Sequence, residues 1–320
     1  LTVTSLGHLI APTSSNVWHP EESTVLVATK NTVFRADGNG RFESILSVAA
    51  AALIEDNESG VIVARSGCIT ADGSETETQI AEPIECAVRV GREILIGTEG
   101  PHVYRHTAGQ TTRIDAFDQL DCRDSFYTPW GGPATVRSFA STVDSQIYAD
   151  IHVGSIMRSP DAGQSWEPVS PDLHEDVHQV ATTPAAPDRL YANTANGVYV
   201  SEDRGTSWDH RSKGFPYRYG RAVAVHPDDP DCMLASVSRG PHRSPAGQLY
   251  RSADAGVSWE HVAIGYPETV DHNIDTFQIA YSRDGRAWAT SDRTLFVSED
   301  RGRSWDQTWT APGEISLIAC

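Results

Sequence analysis

Lysine is almost missing from this sequence: Lys30 and Lys213 are the only two, so nearly all of its 25 basic residues are arginines. High-GC coding and salt-adapted surfaces both produce that bias. Positive charge as a whole is also scarce, since 43 acidic residues leave a net charge of -18. Such a balance argues against a nucleic-acid backbone or an anionic membrane surface as the main partner. Paired cysteines are lacking. Cys68, Cys86, Cys122, Cys232 and Cys320 are odd in number and scattered, with no Cys-x-x-Cys among them, so they read as reduced thiols and exclude a disulfide frame. No run approaches the roughly eighteen apolar residues of a membrane helix. Residues 1–20 also lack the basic start and apolar core of a leader. The expectation is a soluble, cytoplasmic protein with no membrane or nucleic-acid partner. Because the chain starts at Leu1, a processed leader stays open.

What the chain has in quantity is one motif. SPDAGQSW at 159–166 returns as SEDRGTSW at 201–208, SADAGVSW at 252–259 and SEDRGRSW at 298–305. Each copy follows a short alternating run, such as GVYVS or TLFVS, that reads as a strand entering a turn. The aspartates Asp161, Asp203, Asp254 and Asp300 can accept backbone N–H bonds across the turn, the glycine tolerates positive φ, and the tryptophan supplies an apolar plate to the next strand. From one motif serine to the next the spacings are 42, 51 and 46 residues. One four-stranded propeller blade needs roughly 40 to 50. Ser-x-Asp-x-Gly-x-Ser-Trp resembles the Asp-box, or bacterial neuraminidase repeat (BNR), shared by sialidases, sortilin-type receptors, some xyloglucan hydrolases and photosystem II assembly factors. The resemblance implies an all-β, single β-propeller over residues 1–320 and a structural role for the four aspartates. It is nearly silent on activity, because one fold of this kind hosts many.

Four clear blades fall within 134–310, and residues 1–133 hold degenerate ones in which sequences such as ADGNG replace the box. Seven four-stranded blades are expected, with six or eight admitted by the degenerate half. The tail, 314–320, reads as a strand without a blade of its own, and is expected to close the ring against the N-terminal blade because an open propeller leaves unpaired strand edges.

In such blades the Asp-box turn joins strands three and four, on the face opposite the fourth-to-first and second-to-third connections. Those opposite loops are the long, irregular ones, and function is usually carried there. Arg137, Asp176, His178, Arg221 and Asp275 lie near the starts of inner strands, while His152, Arg239 and His242 come from second-strand exits. Tyr127, Trp130, Tyr217, Tyr219 and His272 lie in the loops between. A pocket of Arg, His and Asp walled by aromatics is the default site. His226, before a proline turn on the box face, reads as structural, and His102 as a distant neighbour.

Three functions fit this set. In the first, the arginines hold an anionic small molecule or acidic sugar, and His178, with Asp176, Asp275 and Tyr217, carries hydrolysis or elimination. Arg137, Arg221, Arg239, His152, His242, His272, Trp130 and Tyr127 then bind the substrate. Structural arginines paired with Asp275 or Asp176 around the channel are an equally good reading of Arg137 and Arg221. A true sialidase is disfavoured, since no Arg-Ile-Pro opening or three-arginine set is found. A xyloglucanase would normally need a second propeller. The second function adds a divalent metal on His152, His178 or His242, with HEDVH at 174–178 as the nearest thing to a ligand spacing. No other cofactor is expected. The third is a binding platform for a protein or peptide partner.

Overall fold

In the computed structural model the described residues are 25–36, 40–54, 60–71, 74–241 and 244–320. Among them are seven four-stranded antiparallel sheets, with very little helix. The sheets are the blades of a β-propeller. Blade 1 is made of Ile315–Ala319, Leu26–Thr29, Val33–Ala36 and Phe42–Leu46, in that order outward. Blades 2 to 7 begin with the inner strands Ala50–Ile54, Ile84–Val90, Thr135–Ser141, Val177–Ala181, Tyr219–Val225 and Ile279–Tyr281. Each inner strand packs against the next around a ring that ends where Ile279–Tyr281 meets Ile315–Ala319.

The ring closes through pairing of the chain's last strand with its first. Leu26 is opposite Ala319, Val27 opposite Ile318 and Ala28 opposite Leu317. The second strands are buried from end to end, as in Ile147–His152, Leu190–Thr194 and Met233–Ser238, because neighbouring blades cover both their faces.

In blades 4 to 7 the third and fourth strands are joined by the repeated motif, and its chemistry is the same each time. Asp161 Oδ1 accepts from Ser159 Oγ at 3.0 Å and from the amides of Gln164 and Ser165 at 3.0 and 2.8 Å, while Oδ2 accepts from Ser165 Oγ at 2.7 Å. Asp203, Asp254 and Asp300 each accept from the Ser amide four residues on at 2.8 Å. The two residues after each aspartate are both left-handed, Arg204 at φ 59° and Gly205 at 84° for example, which is why glycine fills the second place. Trp166, Trp208, Trp259 and Trp305 are all buried and pack between blades.

The long loop after blade 3 is more regular than a bare loop: Asp115–Asp118 forms one helical turn and Arg123–Ser125 a 3-10 turn. Phe117 from it meets Trp166 edge-on at 5.0 Å. No helix among the described residues is long and apolar enough to cross a membrane.

Candidate functional site

The first residues of the inner strands and the last residues of the second strands reach the same end of the propeller, opposite the Asp-boxes. They surround a cavity of about 500 Å³ lined among others by Arg65, Glu85, Trp130, Arg137, His152, Arg221, Asp275 and Glu314. The cavity has two chemically different walls.

On one wall Arg137 and Arg221 converge on a single carboxylate. Arg221 Nη1 donates to both oxygens of Asp275 at 2.9 Å, and Arg137 Nη2 to Oδ1 at 3.1 Å. Burial disfavours the charge on Asp275, yet the two guanidinium groups hold its carboxyl below the usual range, so it stays ionised. Two positive charges thus share one negative. Arg137 Nε also reaches Thr276 Oγ1, which donates to the carbonyl of His178 at 2.9 Å. Arg221 lies over the ring of Tyr219 and donates to its hydroxyl at 3.1 Å.

Beside this wall stand His152, Asp176 and His178. Asp176 immediately precedes the strand Val177–Ala181 and His178 is its second residue, where the pairing register shifts. His152 ends the second strand of the preceding blade. The Nε2 atoms of His178 and His152 lie 3.1 and 3.3 Å from Asp176 Oδ1. His178 Nδ1 points at the carbonyl oxygen of Gly220. That oxygen can only accept, so Nδ1 carries the proton and Nε2 of the neutral ring is a lone pair. A Cβ on Gly220 would fall 1.7 Å from Asn193 Oδ1, so only glycine lets this strand approach closely enough to offer its carbonyl. Burial first, and then the Arg137 guanidinium, push His152 down to about 4; burial likewise pushes His178 down. Burial opposes ionisation of Asp176, but with the Arg137 guanidinium nearby its pKa lies below the ordinary value.

His178 is fully buried, stacked edge-on between His152 and Tyr219 at 5.6 and 4.9 Å, and does not line the cavity. The expected acid–base group therefore lies behind the wall, and His152 is the imidazole that faces the ligand space. Trp130, 67% exposed, covers His152 at 4.9 Å.

Other expected residues fall elsewhere. Tyr217 takes a bond from Arg239 Nε at 3.0 Å and has no contact with the His–Asp group; two residues before the inner strand starts, it belongs to the loop, and Tyr219 takes the place expected for it. Asp275 is engaged by arginines rather than by a histidine. His272 sits 3.1 Å from Asp271 and 3.5 Å from Asp292, in a separate cluster. Tyr127 is exposed and reaches Glu175 at 3.4 Å. His242 lies outside the described residues. The HEDVH spacing does not operate, because the segment is extended: His174 Nδ1 caps the amide of Asp176, and the pair that meets is Asp176 with His178. His226 is buried and takes the amide of Asp228, and His102 is bound to Asp118 at 2.7 Å.

Sequence reasoning missed Arg65, Glu85, Glu314 and Ser316. Arg65 and Glu85, paired at 2.8 Å, come from the degenerate blades, and Ser316 from the closing strand. Their signal was positional: Glu85 and Ser316 occupy the second place of inner strands, and Arg65 follows a second strand as His152 ends one.

Seven blades with four Asp-stapled turns define the class: the structure is a β-propeller that carries Asp-box (BNR) repeats. Residues 154–246 match the family described as sortilin, neurotensin receptor 3, and 295–308 the BNR-Asp box repeat. Among curated proteins it is similar to a xyloglucanase of Paenibacillus sp, 28% identical over 211 residues that make up 52% of this chain and 20% of that enzyme. Xyloglucanase Xgh74A of Acetivibrio thermocellus is 27% identical over 186 residues, 49% of this chain and again 20% of the enzyme. The matched part is thus a fifth of each relative's length. Among solved structures, the GH74 xyloglucanase from Xanthomonas campestris superposes with a TM-score of 0.68 at 16% identity, covering 91% of this chain and 53% of that one. YCF48 bound to D1 peptide superposes at 0.58 and 16% identity, covering 89% and 93%. These likenesses are of fold.

Proposed function

We propose that the axial mouth is the ligand site of a glycosidase-like hydrolase or lyase acting on an acidic sugar or a similar small anion. The observation that carries this reading is the pair of arginines sharing one aspartate. A guanidinium charge is left over beside an exposed tryptophan, and a planar ring next to a cationic fork suits a sugar carrying a carboxylate. The cavity, about 500 Å³, is within the usual range for small-ligand sites, roughly 300 to 1,000 Å³. His152 lines the same cavity, with Asp176 in contact behind it. The glycan class follows the xyloglucanase likeness, and the acidic character follows the arginines.

The test is a panel of uronate-containing and neutral oligosaccharides, followed by reducing-end release and by absorbance of unsaturated products. Turnover of an acidic member is expected, with Arg221→Ala and Trp130→Ala each weakening kcat/KM by about tenfold or more, the loss of one charged hydrogen bond or one stacking plate. Variants that bind and turn over like the unaltered protein would remove the mouth from the mechanism.

A second reading rests on the exposed Tyr127 and Trp130 and on the likeness to a peptide-bound propeller of nearly the same length. In it the same arginines take a peptide carboxylate. Binding of acidic peptides that Trp130→Ala abolishes, with no turnover of any glycan, would put this reading first.

A further inference from the structure

We infer that His152, Asp176 and His178 form a binding site for one divalent transition-metal ion of the zinc class, with an open coordination position facing the mouth. Three observations converge on it. First, the ligand atoms are already gathered: two imidazole nitrogens and a carboxylate oxygen lie within 4.8 Å of one another, and the two nitrogen-to-oxygen distances are 3.1 and 3.3 Å. Zinc holds such atoms at about 2.0 to 2.2 Å, which at the tetrahedral angle places neighbouring ligands about 3.3 to 3.6 Å apart. The two nitrogen-to-oxygen distances lie at and just below the short end of that range, so small movements of the carboxylate complete the sphere.

Second, the atoms that face one another do not satisfy one another. His178 Nε2 and Asp176 Oδ1 are both buried, and neither has a hydrogen-bond partner. With Nδ1–H committed to Gly220, Nε2 of the neutral ring presents a lone pair to a carboxylate oxygen, an arrangement that repels unless a proton or a metal cation lies between. A buried polar atom left without a partner is destabilising, and here two share one gap. An ion with room for both lone pairs removes that cost.

Third, the support resembles that of metal-ligating histidines, whose second ring nitrogen donates to a carbonyl or carboxylate that fixes tautomer and direction. Gly220 does this for His178, and Tyr219 and His152 hold the ring from its two sides. Arg137 approaches from the neighbouring inner strand and shares the carboxylate of Asp275 with Arg221. Three protein ligands leave a fourth position, and His152, the ligand that lines the cavity, marks the direction in which it opens.

The inference goes beyond the ligand reading above and does not need it: metal stoichiometry is measured on ligand-free protein, so either can fail alone. Full-length protein stripped with chelator is titrated with zinc chloride by calorimetry, and the cobalt(II) form is read by its ligand-field spectrum. One equivalent per chain is expected, with shifts of the His152 and His178 Nε2 resonances in nitrogen-15 spectra and retention of the His178 Nδ1 proton. Asp176→Asn and His152→Gln should each weaken zinc by about 100-fold, more than the lower end of the 10- to 100-fold typical of outer-sphere changes. His178 is left unaltered because it is part of the blade core. His272→Gln, in the exposed cluster of Asp271, His272 and Asp292, should change nothing. No uptake by the unaltered protein would overturn the inference. So would an ion that survives Asp176→Asn and His152→Gln, or one lost with His272→Gln.

Discussion

A single buried carboxyl shows how much the interior of this propeller depends on one residue. Asp150 is wholly buried in the second strand of blade 4 and accepts from the amide and hydroxyl of Ser138 at 2.9 and 2.6 Å; that hydroxyl in turn accepts from the amide of Val180 in blade 5. Burial, only partly offset by Ser138 and Arg137, pushes its pKa up from 3.8 to about 7. A carboxyl with a raised folded pKa keeps its proton after the unfolded chain has lost one, so its contribution to stability falls as pH rises between those two values and is level above. Asp150→Asn cannot ionise. Its melting temperature relative to the unaltered protein should therefore climb from about pH 4 to about pH 7 and then stay constant, which calorimetry at several pH values will read; a difference that is flat over that window would place the carboxyl in an unperturbed state. The residue scale is also where the sequence was least legible. The types Arg, His and Asp at inner-strand starts were enough to bring Arg137, Arg221, Asp275, Asp176 and His152 to one mouth. Pairing was not, because it depends on which of two alternating residues faces the axis, and so Tyr217 stood in for Tyr219 and His178 seemed accessible. Arg65 and Glu85 were hidden in blades whose motifs have decayed.

At the scale of one element, the stapled turn concentrates three or four hydrogen bonds on one carboxylate. In Asp161 the Ser165 hydroxyl is the main cause that holds the carboxyl below its ordinary value; Asp203, Asp254 and Asp300 stay low against the cost of burial through the same serine bonds. A depressed carboxylate stabilises the fold above its unfolded pKa, near 3.8, and that help is lost as pH falls through the folded value. All four turns should thus weaken together below about pH 4. Asp203→Ala leaves Ser207 and its amide unsatisfied and should cost about 1–3 kcal/mol in urea unfolding at neutral pH, and less in acid, where the carboxylate is already protonated. An equal cost at both pH values would mean that charge is irrelevant to the staple. These turns made the fold legible: residue types with one mechanical use, recurring at blade spacing, specify strand, turn and strand without any tertiary information. The short helical turn at Asp115–Asp118 was not legible, since its reason is the burial of Phe117 against Trp166 from another blade.

For the whole molecule, stability depends on closing a circle. The strand Ile315–Ala319 supplies the inner edge of blade 1, and without it Leu26–Thr29 would face the channel unpaired. Deleting residues 315–320 should replace one cooperative thermal transition with a broad, multistep one, because the blades then form an open row of neighbours; a single sharp transition at an unchanged temperature would show that the ring does not need its seam. The register of that seam also sets how it answers to force. Leu26 and Ala319 are partners, so the start of one strand and the end of the other lie at the same end of the antiparallel pair. Tension applied between the outer ends of these two strands therefore loads the hydrogen bonds one after another, as a zip is drawn, and never all at once in shear. A joint that resists heat through the packing of an entire ring yields to a small pull at this one place, and anything tethered beyond either strand holds the slider.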